Sequence, residues 1–437
     1  MAVWRLQMAT TTLAPKSNGK YVINGGTPLK GTVFVPGAKN AALPIIAAAL
    51  LVKNGQTILR NVPPLNDVRI QMALAQSIGA RINYDENERI LVIDASSLNN
   101  SALDTALTTQ SRASILLLPP VLYRLGRVEF RGIGGCSLGL RRLDFHHNGF
   151  KRLGAAVEGD HDDLVIEAEH LSGNLVYLDI PSQTSTENLM MAACLAHGTT
   201  VIENAASEPE VVDFAHFLIS MGADIQGAGS KTITIEGVTE LKAVEHTIMS
   251  DRLDAGPFMM AAAITGGDIE LVGAQLDEMR ILVAKLEQMG VKVKADGPVV
   301  RVKGPNRLRP VNVVSCPYPG FSTDFLPAVM ALACVASGTS YLRESVFEDR
   351  FTQAEGLSAL GANISKGPGN LAQVEGIEKL HGAHVTAPDL RAGMSIVLAA
   401  LIAEGETVID NIYQIERGHA DVDIRLRALG ASITRQS

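Results

Sequence analysis

The chain has 437 residues, 46% of them hydrophobic and 19% charged, an ordinary globular balance with enough length for two or more cores. A formal net charge of -8 argues against general nucleic-acid affinity, so any anionic ligand must be held by a local basic cluster. The four cysteines, Cys136, Cys194, Cys316 and Cys334, form no CxxC pair, and the apolar runs are too short or too broken by proline to span a bilayer, which sets aside a zinc site and a membrane helix.

Residues 1–20 carry no apolar core of signal-peptide length and read as a loose tail; with the scattered cysteines this predicts a cytoplasmic protein. The first strong element is "GAKNAALPIIAAALL", a buried helix of small apolar residues opening on Lys39 and Asn40. Five more apolar helices follow: "ASILLLPPVLY", "NLMMAACLA", "GPFMMAAAI", "FLPAVMALACV" and "MSIVLAALIA". Each leads into a glycine and a β-type run, at Gly55, Gly126, Gly198, Gly267, Gly338 and Gly405, spaced roughly 70 residues apart. Each run is followed by a helix ending in a Gly-Ala or Gly-Val step, at Gly79, Gly154, Gly222, Gly290, Gly361 and Gly430, and then by strand-like alternation.

Six such units suggest two domains of three. We divide the chain into 39–249, with a glycine-rich loop at 132–142, and 250–437. The segment 21–38, left over at the front, is assigned to the second half.

Charged or hydroxyl residues recur in front of the six apolar helices: Lys39, Arg112, Ser182, Asp251, Arg252, Asp324, Asp389 and Arg391. Capping of free N–H groups explains Ser182, Asp251 and Arg252 as well as any ligand does. It does not explain Lys39, Arg112 or Arg391, because a cation opposes the dipole of a helix N-terminus. An anion held by both the cation and the free N–H groups would reconcile them, and a two-domain chain would place it in a cleft. In "GIGGCSLGLRRLDFHH", Cys136 lies in a loop beside Arg141, where a thiol can become reactive. Cys194 and Cys334 lie inside apolar helices and read as packing. Arg417, in "IERG", reads equally as a surface residue or a site residue.

These stretches together resemble the UDP-N-acetylglucosamine 1-carboxyvinyltransferase family, the enolpyruvyl transferases of early peptidoglycan synthesis. The resemblance rests on "GAKNAALP", "RASI", "GGCSLG", "SDRLDAGPFMMAAA", "STDFLPA", "VFEDRF", "DLRAG" and "IERG", in order from Tyr21 to the end. It implies an α/β (α+β) fold, a two-domain inside-out α/β barrel of six βαβαββ repeats, three per domain. It implies transfer of enolpyruvate from phosphoenolpyruvate to the 3-hydroxyl of the UDP-sugar, through a tetrahedral adduct, with no metal or cofactor. Lys39, Arg112, Arg141, Arg350, Arg391 and Arg417 would then surround phosphoenolpyruvate. Asn40, Arg112, Arg141, Asp144, Ser182, Gln183, Thr184, Asp324 and Val346 would contact the UDP-sugar, with Asp144 reading the uracil. Asp324 would be the general base, Asp389 would support the second half of the acid–base cycle, and Cys136 would be the loop thiol that fosfomycin attacks. Lys39 and Arg417 would join these three in catalysis. The expected partners are these small molecules, with no nucleic acid or membrane, and the expected state is a monomer.

Three departures cluster at the nucleotide end: Arg142 replaces the usual proline, "SQTST" replaces Ser-Val-Gly-Ala-Thr at 182–186, and Ser207 replaces arginine. They leave open an acceptor that is another uridine nucleotide, such as uridine monophosphate. A catalytically silent UDP-sugar-binding paralogue is a further alternative, disfavoured by the presence of Asp324 and Cys136. The related synthase acting on shikimate 3-phosphate lacks the cysteine loop and ranks lower still.

Overall fold

A computed structural model describes residues 19–134, 143–160 and 162–436. The chain divides into two compact units, one built from 39–134 and 143–249, the other from 19–38 and 250–436.

Six helices form the cores. In the first unit they are α1 (Lys39–Ala49), α2 (Leu118–Leu125) and α3 (Gln183–Cys194). In the second they are α4 (Arg252–Thr265), α5 (Leu326–Ala333) and α6 (Leu390–Ala400). Nearly every residue of α1, α4, α5 and α6 is buried, as expected of helices that are apolar all round. Within each unit the core helices pack on one another, and three sheets lie outside them. Sheet strands such as Val299–Lys303 alternate buried and exposed residues, so one face covers the helices and the other meets water. This is the inside-out arrangement of helices and sheets.

Two helices start differently from their sequence pattern. The run "ASILLLPPVLY" begins as a 3-10 turn, Arg112–Leu117, and becomes α-helical at Leu118, with Pro119 and Pro120 in the first turn. The run "FLPAVMALACV" likewise opens on a 3-10 turn, Thr323–Phe325, before Pro327 enters α5. Proline lacks an N–H to donate and fits the first helical turn, so it marks the switch point.

The repeat is visible in the backbone. All six helix-end glycines take left-handed φ, from +93° at Gly154 to +109° at Gly222, and each is followed by an outer strand. Two strands that sit next to a unit boundary in the chain each pair within their own unit. Lys30–Phe34, just before α1, pairs in parallel with Asp268–Val272 of the second unit. Glu245–Thr247, just before α4, pairs in parallel with Thr57–Arg60 of the first. The last repeat is completed from the front of the chain: Lys20–Asn24 lies between Glu406–Asp410 and Ser432–Gln436, antiparallel to both. No helix among the described residues is long and apolar enough to cross a membrane.

Candidate active site

The second unit gathers most of the buried charge. Asp324 sits in the 3-10 turn that leads into α5, and Ser322 caps that turn through the Asp324 amide. Its carboxylate is clamped by two buried guanidinia. Arg350 Nη2 donates to Oδ1 at 2.7 Å, while Arg391 Nε and Nη2 each lie 3.1 Å from Oδ2. Arg391 opens α6, behind the Asp389 cap. Asp389 Oδ1 accepts from the amides of Arg391 and Ala392, at 2.9 and 3.0 Å, and Oδ2 accepts from the Thr352 hydroxyl at 2.8 Å. Asp389 therefore serves first as a helix cap. Asp251 does the same for α4 through the amides of Leu253 and Asp254.

Behind Arg391 runs a second layer that sequence reading missed. Arg391 Nη1 lies 3.1 Å from His419 Nε2, and His419 Nδ1 lies 3.1 Å from Asp254 Oδ1. Arg425 closes the chain with a bidentate pair to Asp254, at 3.0 and 2.6 Å, and its guanidinium stacks 4.0 Å from the Phe258 ring centre. Burial pushes the Asp254 carboxyl up, but Arg425 and the His419 hydrogen bond outweigh it and hold the group well below its usual range. Glu344, also buried, accepts from Ser315, Thr323 and the amides of Val346 and Phe347, and so fixes the loop carrying Val346 next to the turn carrying Asp324. Arg417 is buried and donates to Gln414 at 3.1 Å. Arg252 and Tyr318, with ring centre and guanidinium 5.5 Å apart, line a cavity of 320 Å³ that also takes in Ser322 and Phe325.

The first unit is built differently. Lys39 opens α1 and reaches Asp67 at 3.1 Å, both largely buried. Asn40 follows it, half-buried. Arg112 starts its 3-10 turn behind the Ser111 cap. Asp144 starts the helix Asp144–Arg152, and its Oδ1 is buried with no hydrogen-bonding partner among the described residues. Ser182 caps α3 through the Ser185 amide, and Gln183 Nε2 donates to Glu187 Oε1 at 3.0 Å, one turn on. The Gln183 and Thr184 departures thus fall in the first turn of a core helix.

His146 ties these pieces together. Asn188 Nδ2 lies 3.0 Å from His146 Nδ1 and also donates to the Ile115 carbonyl at 3.0 Å, while Ser185 Oγ is 3.2 Å from Nε2. Burial pushes the His146 imidazole down to about 3, with Arg112 and His147 adding to the effect, so the ring is neutral. Burial also pushes Glu187 well above its ordinary value, against the Gln183 hydrogen bond. Cys194 and Cys334 are buried free thiols pushed up to about 12, which makes them inert packing groups. Cys136, Arg141 and Arg142 lie outside the described residues, as do residues 1–18.

Comparison with known proteins follows the same lines. The model of the EPSP synthase (3-phosphoshikimate 1-carboxyvinyltransferase) family matches residues 23–423. A UDP-N-acetylglucosamine 1-carboxyvinyltransferase of Thermobifida fusca is 50% identical, covering 95% of this chain and 98% of its own. UDP-N-acetylglucosamine 1-carboxyvinyltransferase 1 of Caldanaerobacter subterraneus subsp. tengcongensis is 46% identical, covering 95% and 99%. Among solved structures, the enolpyruvyl transferase NikO from Streptomyces tendae superimposes with a TM-score of 0.86 at 25% identity, covering 96% of this chain and 99% of that one.

Proposed function

We propose that this chain, which belongs to the EPSP synthase family of 1-carboxyvinyltransferases, transfers enolpyruvate from phosphoenolpyruvate to the 3-hydroxyl of UDP-N-acetylglucosamine. The observation that carries the reading is the Arg350–Asp324–Arg391 clamp, two buried guanidinia sharing one carboxylate on a scaffold 50% identical to a UDP-N-acetylglucosamine 1-carboxyvinyltransferase. Guanidinium forks match phosphate and carboxylate oxygens. An incoming donor supplies both groups, takes over the arginines and leaves Asp324 as a base.

The chemistry is addition followed by elimination. Asp324 accepts the proton of the sugar hydroxyl, the oxygen adds to C2 of phosphoenolpyruvate, and C3 takes up a proton to become a methyl group. Loss of a C3 proton then restores the double bond as the C2–O bond to phosphate breaks. Lys39, Arg112, Arg141, Arg350, Arg391 and Arg417 hold the anionic groups through the tetrahedral adduct. In this reading Cys136 is the loop thiol that works at proton transfer or product release and that fosfomycin labels. Asp389, engaged as a cap, acts in the second half by orienting the start of α6.

Asn40, Ser182, Gln183, Thr184 and Val346 contact the UDP-sugar. The Oδ1 of Asp144, without a hydrogen-bonding partner among the described residues, supports a role in reading the uracil N–H. Acceptors other than the UDP-sugar are not favoured. Relatives named for that acceptor reach 50% and 46% identity, against 25% for NikO, and Gln183 is used inside α3. A silent paralogue is not favoured either, since Asp324 and its two arginines are in place. We assign the enzyme to the cytoplasm and to the first committed step of peptidoglycan synthesis, as a monomer. The free thiols among the described residues, Cys194 and Cys334 buried and Cys316 exposed, suit a reducing compartment.

The test is phosphate release from phosphoenolpyruvate with UDP-N-acetylglucosamine and uridine monophosphate compared side by side. Release with the UDP-sugar alone is expected. Release only with the monophosphate would move the acceptor, and release with neither would overturn the transferase reading.

A further inference from the structure

We propose that His419 is a positioning residue for donor binding: as a neutral imidazole it accepts a hydrogen bond from Arg391 and, anchored by Asp254, fixes that guanidinium for the anionic donor. The inference rests on the enolpyruvyl-transfer reading and adds a residue to it. A guanidinium has only donors, so the 3.1 Å contact from Arg391 Nη1 requires a bare Nε2 on the ring. The ring proton then lies on Nδ1, where it is donated to Asp254 Oδ1 at 3.1 Å. Asp254 is held ionised by its bidentate pair with Arg425. One tautomer satisfies every partner, and the ring cannot turn without losing both bonds.

The backbone enforces this approach. A Cβ on Gly418 would lie 2.2 Å from Leu390 Cδ1, and one on Gly393 would lie 2.6 Å from Ile415 Cγ1. These glycines let the segment carrying Arg417 and His419 press against the start of α6, where Arg391 sits. The groups facing the imidazole are Arg391 and Asp254, with Arg425 behind Asp254. Burial lowers the imidazole below its ordinary value, the Asp254 hydrogen bond opposes this, and the Arg391 charge adds to the lowering. A protonated ring would point Nε2–H at the Arg391 N–H and break the contact.

His419→Leu removes the acceptor, and His419→Gln offers one near the Nε2 position. Steady-state kinetics should show KM for phosphoenolpyruvate raised about tenfold or more in the Leu variant, with KM for UDP-N-acetylglucosamine within about twofold. The Gln variant should recover to within about threefold of the wild type. An equal rise in both KM values, or a folded Gln variant no better than Leu, would overturn the proposal. A second arm needs neither variant nor turnover. Nitrogen NMR of the histidine-labelled wild type should show His419 protonated at Nδ1 and bare at Nε2 near neutral pH, and a ring protonated at Nε2 would overturn the proposal. Absence of phosphate release by the wild type would overturn the transferase reading instead, leaving the spectrum to decide the tautomer.

Discussion

Each unit holds a network of polar groups inside its core, and the two networks are opposite in kind. In the second unit, Arg425, Asp254, His419, Arg391, Asp324 and Arg350 form a run in which charges alternate around one neutral ring. In the first unit, His146, Ser185, Asn188 and Ser182 are joined by neutral hydrogen bonds, and Glu187 is pushed toward its protonated form by burial. A charged network is suited to exchanging one anion for another: Asp324 can be traded for phosphate and carboxylate oxygens. A neutral network reads donors and acceptors, which is what a uracil ring and a sugar present. Gln183 and Thr184 fall in the neutral region, away from the clamp residues.

Asp324→Asn should give the largest effect, a fall in kcat of about 10³-fold, because it removes the proposed base while keeping the shape. Calorimetry should show nucleotide binding largely unchanged, and joint loss of binding would break the division of labour between the two networks. Next comes Asp254→Ala, which takes the carboxylate away from Arg425 and the acceptor away from the His419 proton. It should destabilise the fold by about 3 kcal/mol or more, seen as a shifted denaturant midpoint; a shift within error would mean that the inner charges are not coupled.

The pH dependence of stability should come next in size. His146 falls from its ordinary 6.5 to about 3 on folding, so between those values the unfolded chain binds a proton that the folded chain does not. Stability is then lost as pH falls below about 6.5, by up to about 1.4 kcal/mol per pH unit, and His419 acts in the same sense. Thermal midpoints of His146→Gln should vary less between about pH 4 and pH 6 than those of the wild type, and equal slopes would count against the neutral network. Ser182→Ala should be the smallest perturbation, about 1 kcal/mol from the lost cap, with a modest rise in KM for the nucleotide.

Much of the architecture could be read from the chain because its punctuation is local. All six glycines past a helix take left-handed φ, as do four of the six before a strand, Gly55, Gly126, Gly198 and Gly405, and the six pairs count the repeats. The irregular starts at Arg112–Leu117 and Thr323–Phe325 were harder to see, since an apolar pattern does not separate a 3-10 turn from an α-helix. Cations at helix starts drew attention to Lys39 and Arg391 because they oppose the dipole. The structure adds that internal carboxylates already answer them, Asp67 for Lys39 and Asp324 for Arg391. Such pairings depend on the fold. Asp254 and Arg425 are 171 residues apart, and no periodicity in the chain connects them. His419 carries no motif of its own; its meaning lies in what Gly418 and Gly393 bring against it.

The most direct measurement is the identity of the product. The chain should be incubated with phosphoenolpyruvate and UDP-N-acetylglucosamine, and the nucleotide analysed by mass spectrometry and phosphorus NMR. An enolpyruvyl ether on the sugar, with one inorganic phosphate released for each nucleotide consumed, is the predicted result. A nucleotide that gains the phosphoryl group instead, or returns unchanged while the protein is folded and binds it, would contradict the account.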